Sequence, residues 1–239
     1  MFKGDQTFTK KLGQWQEHRR ALTVKIAIHA DFIYADVIKN MAPVPTQNLT
    51  SLCVFCGSQT GSDPVFASAA TILGQAMARQ DTTLVFGGGR VGLMGVLADA
   101  VLAGGGKIVG VIPTFLKDKE LAHQAATEML VVPDMHTRKK TMFEQSDAFC
   151  ILPGGVGTLD EMFEIITWRQ LHLHNKPIVI LNVAGYWTPL LTMIERMIGA
   201  GFAHQGHDAL VTVVERPEDV LAAAAAELRA PKPPVIFKV

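Results

Sequence analysis

Between Ser51 and Leu228, short apolar runs alternate with longer stretches in which apolar residues recur every three or four positions. The short runs at 52–56, 83–86, 108–112, 129–132, 148–152 and 178–182, with a weaker one at 210–213, predict strands. The longer stretches near 64–79, 92–103, 137–146, 158–171, 187–200 and 217–228 predict helices. The alanine run at 222–226 is a strong helix former, and Pro231, Pro233 and Pro234 end that last helix and leave an extended tail. Strands that alternate with helices in this way predict βαβ units and an α/β fold with a mainly parallel sheet.

Residues 1–48 do not share the pattern. Lys10-Lys11 and His18-Arg19-Arg20 are scattered among short apolar pieces, and Pro43-Val44-Pro45 closes the segment. Two readings stay open: a start at Met41, or two helices near 9–20 and 30–40. The expected organisation is an extension over 1–48, one domain over 49–230 and a tail over 231–239.

Composition narrows the function classes. At 239 residues, 49% hydrophobic and 18% charged, the chain has material for one large core, which excludes general disorder. Lys+Arg and Asp+Glu balance at 22 each, so no basic surface favours a nucleic-acid partner, whereas a single nucleotide remains admissible. No apolar run approaches the roughly 18–20 residues of a membrane span, and the first 16 residues are too polar for a secretory signal. A soluble cytoplasmic protein with no membrane partner is expected. Cys53 and Cys56 form a C-x-x-C, but in a strand they face opposite sides; with Cys150 they are expected as buried free thiols rather than a redox or zinc site.

Candidate chemistry lies where strands end. In an open α/β sheet, ligands gather beyond the carboxyl ends of the strands, and three of these ends carry small-residue loops. They are Gly57-Ser58-Gln59, the stretch Gly87-Gly88-Gly89-Arg90-Val91-Gly92-Leu93-Met94-Gly95, and Pro153-Gly154-Gly155-Val156-Gly157-Thr158-Leu159-Asp160-Glu161. The third reads as strand, glycine turn and helix start, where free amides and the helix dipole favour an anion such as phosphate. Thr158 adds a hydroxyl. Glu161 adds a carboxylate that anion binding alone does not call for. Neither glycine loop carries G-x-G-x-x-G on the first βα turn, no acid ends the second strand, and G-x-x-x-x-G-K-[ST] is absent; dinucleotide and magnesium–ATP chemistry are unsupported.

Taken together, Phe86-Gly87-Gly88-Gly89 with Val91-Gly92-Leu93-Met94-Gly95, Met135-His136-Thr137-Arg138-Lys139 and Pro153-Gly154-Gly155-x-Gly157-Thr158-x-x-Glu161 resemble the signatures of the Lonely Guy (LOG) family. Cys56-Gly57-Ser58, Ile166-Thr167-Trp168-x-Gln170-Leu171, Lys176-Pro177 and Asn182-Val183-x-Gly185-Tyr186 also fit, in the family's order. The resemblance implies a single doubly wound, Rossmann-like domain with helices on both faces and a homodimer with the pocket near the subunit boundary. It further implies cofactor-free hydrolysis of cytokinin riboside 5′-monophosphates or AMP to free base and ribose 5-phosphate. Arg138 and Glu161 are the implied catalytic pair. Ser58, Gly88, Gly89, Met94, Met135, Lys139, Gly154, Gly155, Gly157 and Thr158 are the expected substrate-binding set. Family members have often been called lysine decarboxylases, a chemistry that needs pyridoxal phosphate on a lysine, and no lysine here stands in a context that singles it out.

N-glycoside cleavage passes through a ribosyl cation, so a carboxylate near C1′ is the required feature. Glu161 is expected to be kept ionised by the helix N-terminus, and Arg138 to hold phosphate or ribose oxygens and steer it. A non-catalytic nucleotide sensor or carrier is the alternative, although a pure binder gains nothing from a carboxylate beside a phosphate. Arg90 is open between ligand and solvent, and Met94 and Met135 between adenine face and core. Asp160 is read as a first-turn charge. His172, His174, His204 and His207 lack metal-ligand spacing. Trp168, Tyr186 and Trp187 are a candidate subunit interface.

Overall fold

The computed structural model describes residues 48–117, 122–203 and 210–230. The readings for the 1–48 extension, its two helices, the 231–239 tail, His204 and His207 lie outside the described residues. Among the described residues seven strands and seven helices alternate: β1 (Ser51–Phe55), α1 (Pro64–Arg79), β2 (Thr83–Phe86), α2 (Gly92–Ala103), β3 (Ile108–Pro113), α3 (Thr114–Lys117), β4 (Glu128–Val132), α4 (Met135–Glu144), β5 (Ala148–Ile151), α5 (Val156–Gln170), β6 (Ile178–Leu181), α6 (Thr188–Gly199), β7 (Thr212–Val214) and α7 (Val220–Arg229). Local chemistry explains the sharpest boundaries. Helix α1 begins with Pro64 in its first turn and with the Asp63 carboxylate accepting from the Val65 amide.

Two helices start earlier than the apolar pattern predicts. Helix α4 begins at Met135 because Asp134 caps it, accepting from the amide and hydroxyl of Thr137. Helix α5 begins at Val156, on a glycine with no side chain to announce a cap. The stretch expected as one helix over 217–228 divides into a 3-10 turn at Pro217–Asp219 followed by α7. The four-residue α3 has no counterpart among the expected elements.

All six strand pairings are parallel, in the order β4-β3-β2-β1-β5-β6-β7. Strand side chains alternate between two apolar layers. Leu52, Val54, Leu84, Phe86, Cys150 and Leu181 face α1, α2 and α7. Cys53, Phe55, Val85, Phe149, Ile151 and Ile180 face α4, α5 and α6. This is the doubly wound architecture, with helices covering both faces. Cys53 and Cys56 fall in opposite layers, and all three cysteines are buried and free, as their strand positions predict. No helix among the described residues is long and apolar enough to cross a membrane.

The chain runs outward from β1 through β4 and then returns to place β5 on the other side of β1. That reversal parts the loops after β1 and β5 and opens a crevice between them, the switch point at which such sheets bind ligands.

Candidate active site

A cavity of about 310 Å³ opens at this switch point. Its walls are Val54 to Ser58 at and just beyond the end of β1, Gly87 after β2, Met94 of α2, Leu116 of α3, Met135, Arg138 and Met142 of α4, and Gly155 to Thr158, Asp160 and Glu161 at the start of α5. The loops are laced together by backbone contacts. Gly57 donates to the Pro153 carbonyl at 3.0 Å, and Leu93 donates to the Gly57 carbonyl at 3.0 Å. Gly92 has φ of +62° and packs on the Ser58 backbone, where an added Cβ would fall 2.2 Å from the Ser58 carbonyl carbon.

Helix α5 presents an open N-terminus to the cavity. Its cap, Gly155, is extended and has no side-chain hydrogen bond, and the first ladder bond runs from Leu159 N to Gly155 O at 3.1 Å. The amides of Val156, Gly157 and Thr158 therefore lack intrahelical acceptors. With the Thr158 hydroxyl beside them, they form a concave set of donors suited to a phosphate.

Arg138 is buried. Its Nε donates to the Val111 carbonyl at 3.1 Å and its Nη2 to the Gly87 carbonyl at 3.2 Å. These two carbonyls fix the guanidinium, and its Nη1 stands 3.6 Å from Glu161 Oε1 and 3.9 Å from Met135 Sδ. Glu161 is 9% exposed, whereas the side chain of its chain neighbour Asp160 is 59% exposed, consistent with the ~100° step between successive helical residues.

The ionisation expected of Glu161 is corrected. Burial pushes its pKa up to about 7, against the opposing pull of Arg138; Asp160 adds to the rise and Lys139 opposes it. Because α5 starts at Val156, Glu161 and Asp160 lie past the first turn, where the dipole's influence has faded, and desolvation wins.

Of the expected binding residues, Ser58, Met94, Met135, Gly155, Gly157 and Thr158 line this cavity. Four do not. Gly88, at φ +74°, backs onto Ile112 and Met129, and Gly89 packs against Met94 and bridges to Ala122. Gly154 lies beneath Thr158, where a Cβ would be 2.1 Å from the threonine hydroxyl. Lys139 turns outward and pairs with Asp160 and Glu164, each at 3.1 Å. Gly57 and Gly87 also line the cavity, as does Leu116, whose segment carries no sequence signal that announces α3. Arg90 is exposed. His174 is buried with Nε2 against the Ile165 carbonyl and Nδ1 accepting from the Lys176 amide, a structural role.

The aromatic interface expected at Trp168, Tyr186 and Trp187 is not a shared exposed patch. Trp187 is buried, Trp168 packs edge-on against Phe143, and Tyr186 packs on Phe66 and donates to the Gly154 carbonyl at 2.6 Å. The exposed apolar residues Phe163, Met193, Phe202 and Val213 lie elsewhere, on α5, α6, the turn after it and β7; all but Met193 border a second, apolar cavity of about 400 Å³.

Comparison with known proteins adds the following. A family model described as "Possible lysine decarboxylase" matches residues 94–224. The cytokinin riboside 5′-monophosphate phosphoribohydrolase of Rhodococcoides fascians is 45% identical over 193 residues, covering 77% of this chain and 98% of that protein. The chain belongs to the Lonely Guy (LOG) family. A second LOG relative, the cytokinin riboside 5′-monophosphate phosphoribohydrolase of Arabidopsis thaliana, is 48% identical over 151 residues, covering 63% of this chain and 70% of that protein. Among solved structures, the molybdenum cofactor carrier protein of Chlamydomonas reinhardtii matches with a TM-score of 0.58 at 21% identity, over 77% of this chain and 99% of that one. At that identity the likeness shows that the LOG fold is shared. The family model's decarboxylase description does not fit the LOG site here, since among the described residues no lysine lines the cavity to carry pyridoxal phosphate.

Proposed function

We propose that the chain hydrolyses the N-glycosidic bond of adenine-type nucleoside 5′-monophosphates, cytokinin riboside 5′-monophosphate and AMP among them, giving free base and ribose 5-phosphate. The observation that carries this reading is the buried Arg138–Glu161 pair facing the same cavity as the open start of α5. The 5′-phosphate sits on the amides of Val156, Gly157 and Thr158, with the hydroxyls of Thr158 and Ser58 alongside. Seated there, the sugar directs C1′ toward Glu161, one helical turn on. As the C1′–N9 bond breaks, positive charge builds on the ribose and the ionised Glu161 stabilises it. A water oxygen then bonds to C1′, one of its protons passes to Glu161 and on to the nitrogen of the departing base, and Glu161 is left ionised as before. Arg138, permanently charged and tied to two carbonyls, keeps the carboxylate oriented and meets ribose or phosphate oxygens.

Met94, Met135, Leu116 and Met142 supply the apolar wall for the base. The reaction uses water and no cofactor. In this reading the enzyme works in the cytoplasm as a homodimer. The exposed apolar residues of α5, α6 and β7 support the pairing, and light scattering on the purified chain tests it.

The decisive test is incubation with AMP and, separately, with isopentenyladenosine monophosphate, followed by chromatography of products. Free base with equimolar ribose 5-phosphate is expected. Tight binding without base release would replace hydrolysis by a carrier or sensor role.

A further inference from the structure

We infer that Lys139 is a positioning residue: its ammonium ties the helix carrying Arg138 to the helix carrying Glu161, from outside the cavity. The inference rests on the hydrolytic reading above and deepens it. Arg138 and Lys139 are consecutive on α4, and Asp160 and Glu161 are consecutive on α5. Successive helical residues diverge by about 100°, so each buried member of the pair has a neighbour turned to a more open face: Lys139 lies off the cavity lining and Asp160 at its exposed rim. The inward members meet loosely, at 3.6 Å, and no hydrogen bond holds the Glu161 carboxylate among the described residues. The outward members meet closely. Lys139 Nζ is 3.1 Å from Asp160 Oδ2 and 3.1 Å from Glu164 Oε2, two acids one turn apart on the same stripe of α5.

The Lys139 side chain is 11% exposed and that of Glu164 25%, so this bridge is more shielded from water than a surface pair, whereas Asp160, at 59%, meets the ammonium from the solvent side. Arg138 is already anchored to the sheet by Val111 and Gly87. What remains to be fixed is the first two turns of α5 against α4, and Lys139 makes the only ion pairs other than Arg138–Glu161 that cross between these helices among the described residues.

Lys139 also balances charge. The groups facing Glu161 are Arg138 and Lys139 on α4, Asp160 and Glu164 on its own helix, and the thiols of Cys53 and Cys56 on and just after β1. Removing Lys139 leaves two uncompensated carboxylates beside a third that must ionise. Removing the acids does the reverse.

The test compares wild type, Lys139→Met, Lys139→Arg and Asp160→Asn/Glu164→Gln on AMP and isopentenyladenosine monophosphate, with kcat, KM and full pH–rate profiles. Lys139→Met is expected to lose about tenfold or more in kcat with KM changed far less, since a small misplacement of the reacting groups is costly to the chemical step. Its acid limb is expected to move to higher pH, that of the double acid variant to lower pH, and Lys139→Arg is expected to restore kcat and limb. An unchanged limb and kcat in folded Lys139→Met would overturn the inference, as would a loss confined to KM, which would make Lys139 a substrate contact. If Lys139→Met does not fold, the limb of the double acid variant decides by itself. An inactive wild type would instead refute the hydrolytic reading, so the two failures are distinguishable.

Discussion

The guanidinium of Arg138 occupies the space a side chain on Gly87 would need: a Cβ added there would fall 1.8 Å from Nη2, which donates to the Gly87 carbonyl. The glycine at the end of β2 is thus a requirement of the arginine on α4, 51 residues later. Gly87→Ala is expected to expel the guanidinium from its carbonyl clamp, cutting kcat by about 10²-fold and lowering stability by about 1–3 kcal/mol. Steady-state kinetics beside thermal unfolding checks both, and full activity in the variant would mean that Arg138 needs no fixed seat.

Removing either member of the charged pair should act on the transition state. Glu161→Gln, which keeps the shape, and Arg138→Met are each expected to lower kcat by about 10²–10³-fold with small changes in KM. Because the two act as one unit, the double variant should lose little more than the worse single one. Additive losses in that double-mutant cycle would mean that the two groups work separately.

Burial of Glu161 gives activity and stability opposite pH trends. Its carboxyl, raised from 4.5 in the unfolded chain to about 7 in the fold, binds a proton in the native state that the unfolded chain has released between those values. Stability therefore falls as pH rises from 4.5 to about 7 and levels off above, a cost of about 3 kcal/mol. The ionised form is the catalytic one, so kcat should rise through the same window. Glu161→Gln should abolish the limb and gain stability over wild type at pH 8 but not at pH 4. Denaturant unfolding at those two values is the check, and equal differences would count against the raised carboxyl.

At the far end of α5, Arg169 pairs with Glu227 of α7, both about 5% exposed, and Thr212 of β7 donates to the second Glu227 oxygen at 2.9 Å. Arg169→Met removes the cation facing a buried carboxylate and is expected to cost about 3–5 kcal/mol. Arg169→Met/Glu227→Met should recover most of that loss, because both charges then leave the interior together. Chemical denaturation of the three proteins measures it, and a single variant as stable as wild type would show that Glu227 is satisfied without the arginine.

Particular residues show where reading the chain succeeds. The apolar run 83–86 and the helical stretches 64–79 and 92–103 coincide with β2, α1 and α2 because their signals are local: periodicity, Asp63 with Pro64, and glycines at turns. The starts of α4 and α5 are each two residues earlier than expected, since a glycine cap leaves no side-chain mark and the Asp134 cap sits ahead of a polar first turn.

The order of the strands and of the six longer helices, the two-layer alternation of Cys53 and Cys56, and the candidacy of Glu161 follow from the chain alone, because hydrophobic period and loop chemistry act between near neighbours; Arg138 is marked only by the family resemblance of its segment. Tertiary structure decided the rest. It set Gly88, Gly89 and Gly154 to packing and turned Lys139 toward Asp160 and Glu164. It brought Leu116 into the cavity wall and withdrew Glu161 from water far enough to overcome the pull of the arginine. Desolvation and close packing depend on what distant segments bring to a point in space, and no local pattern of residues encodes that.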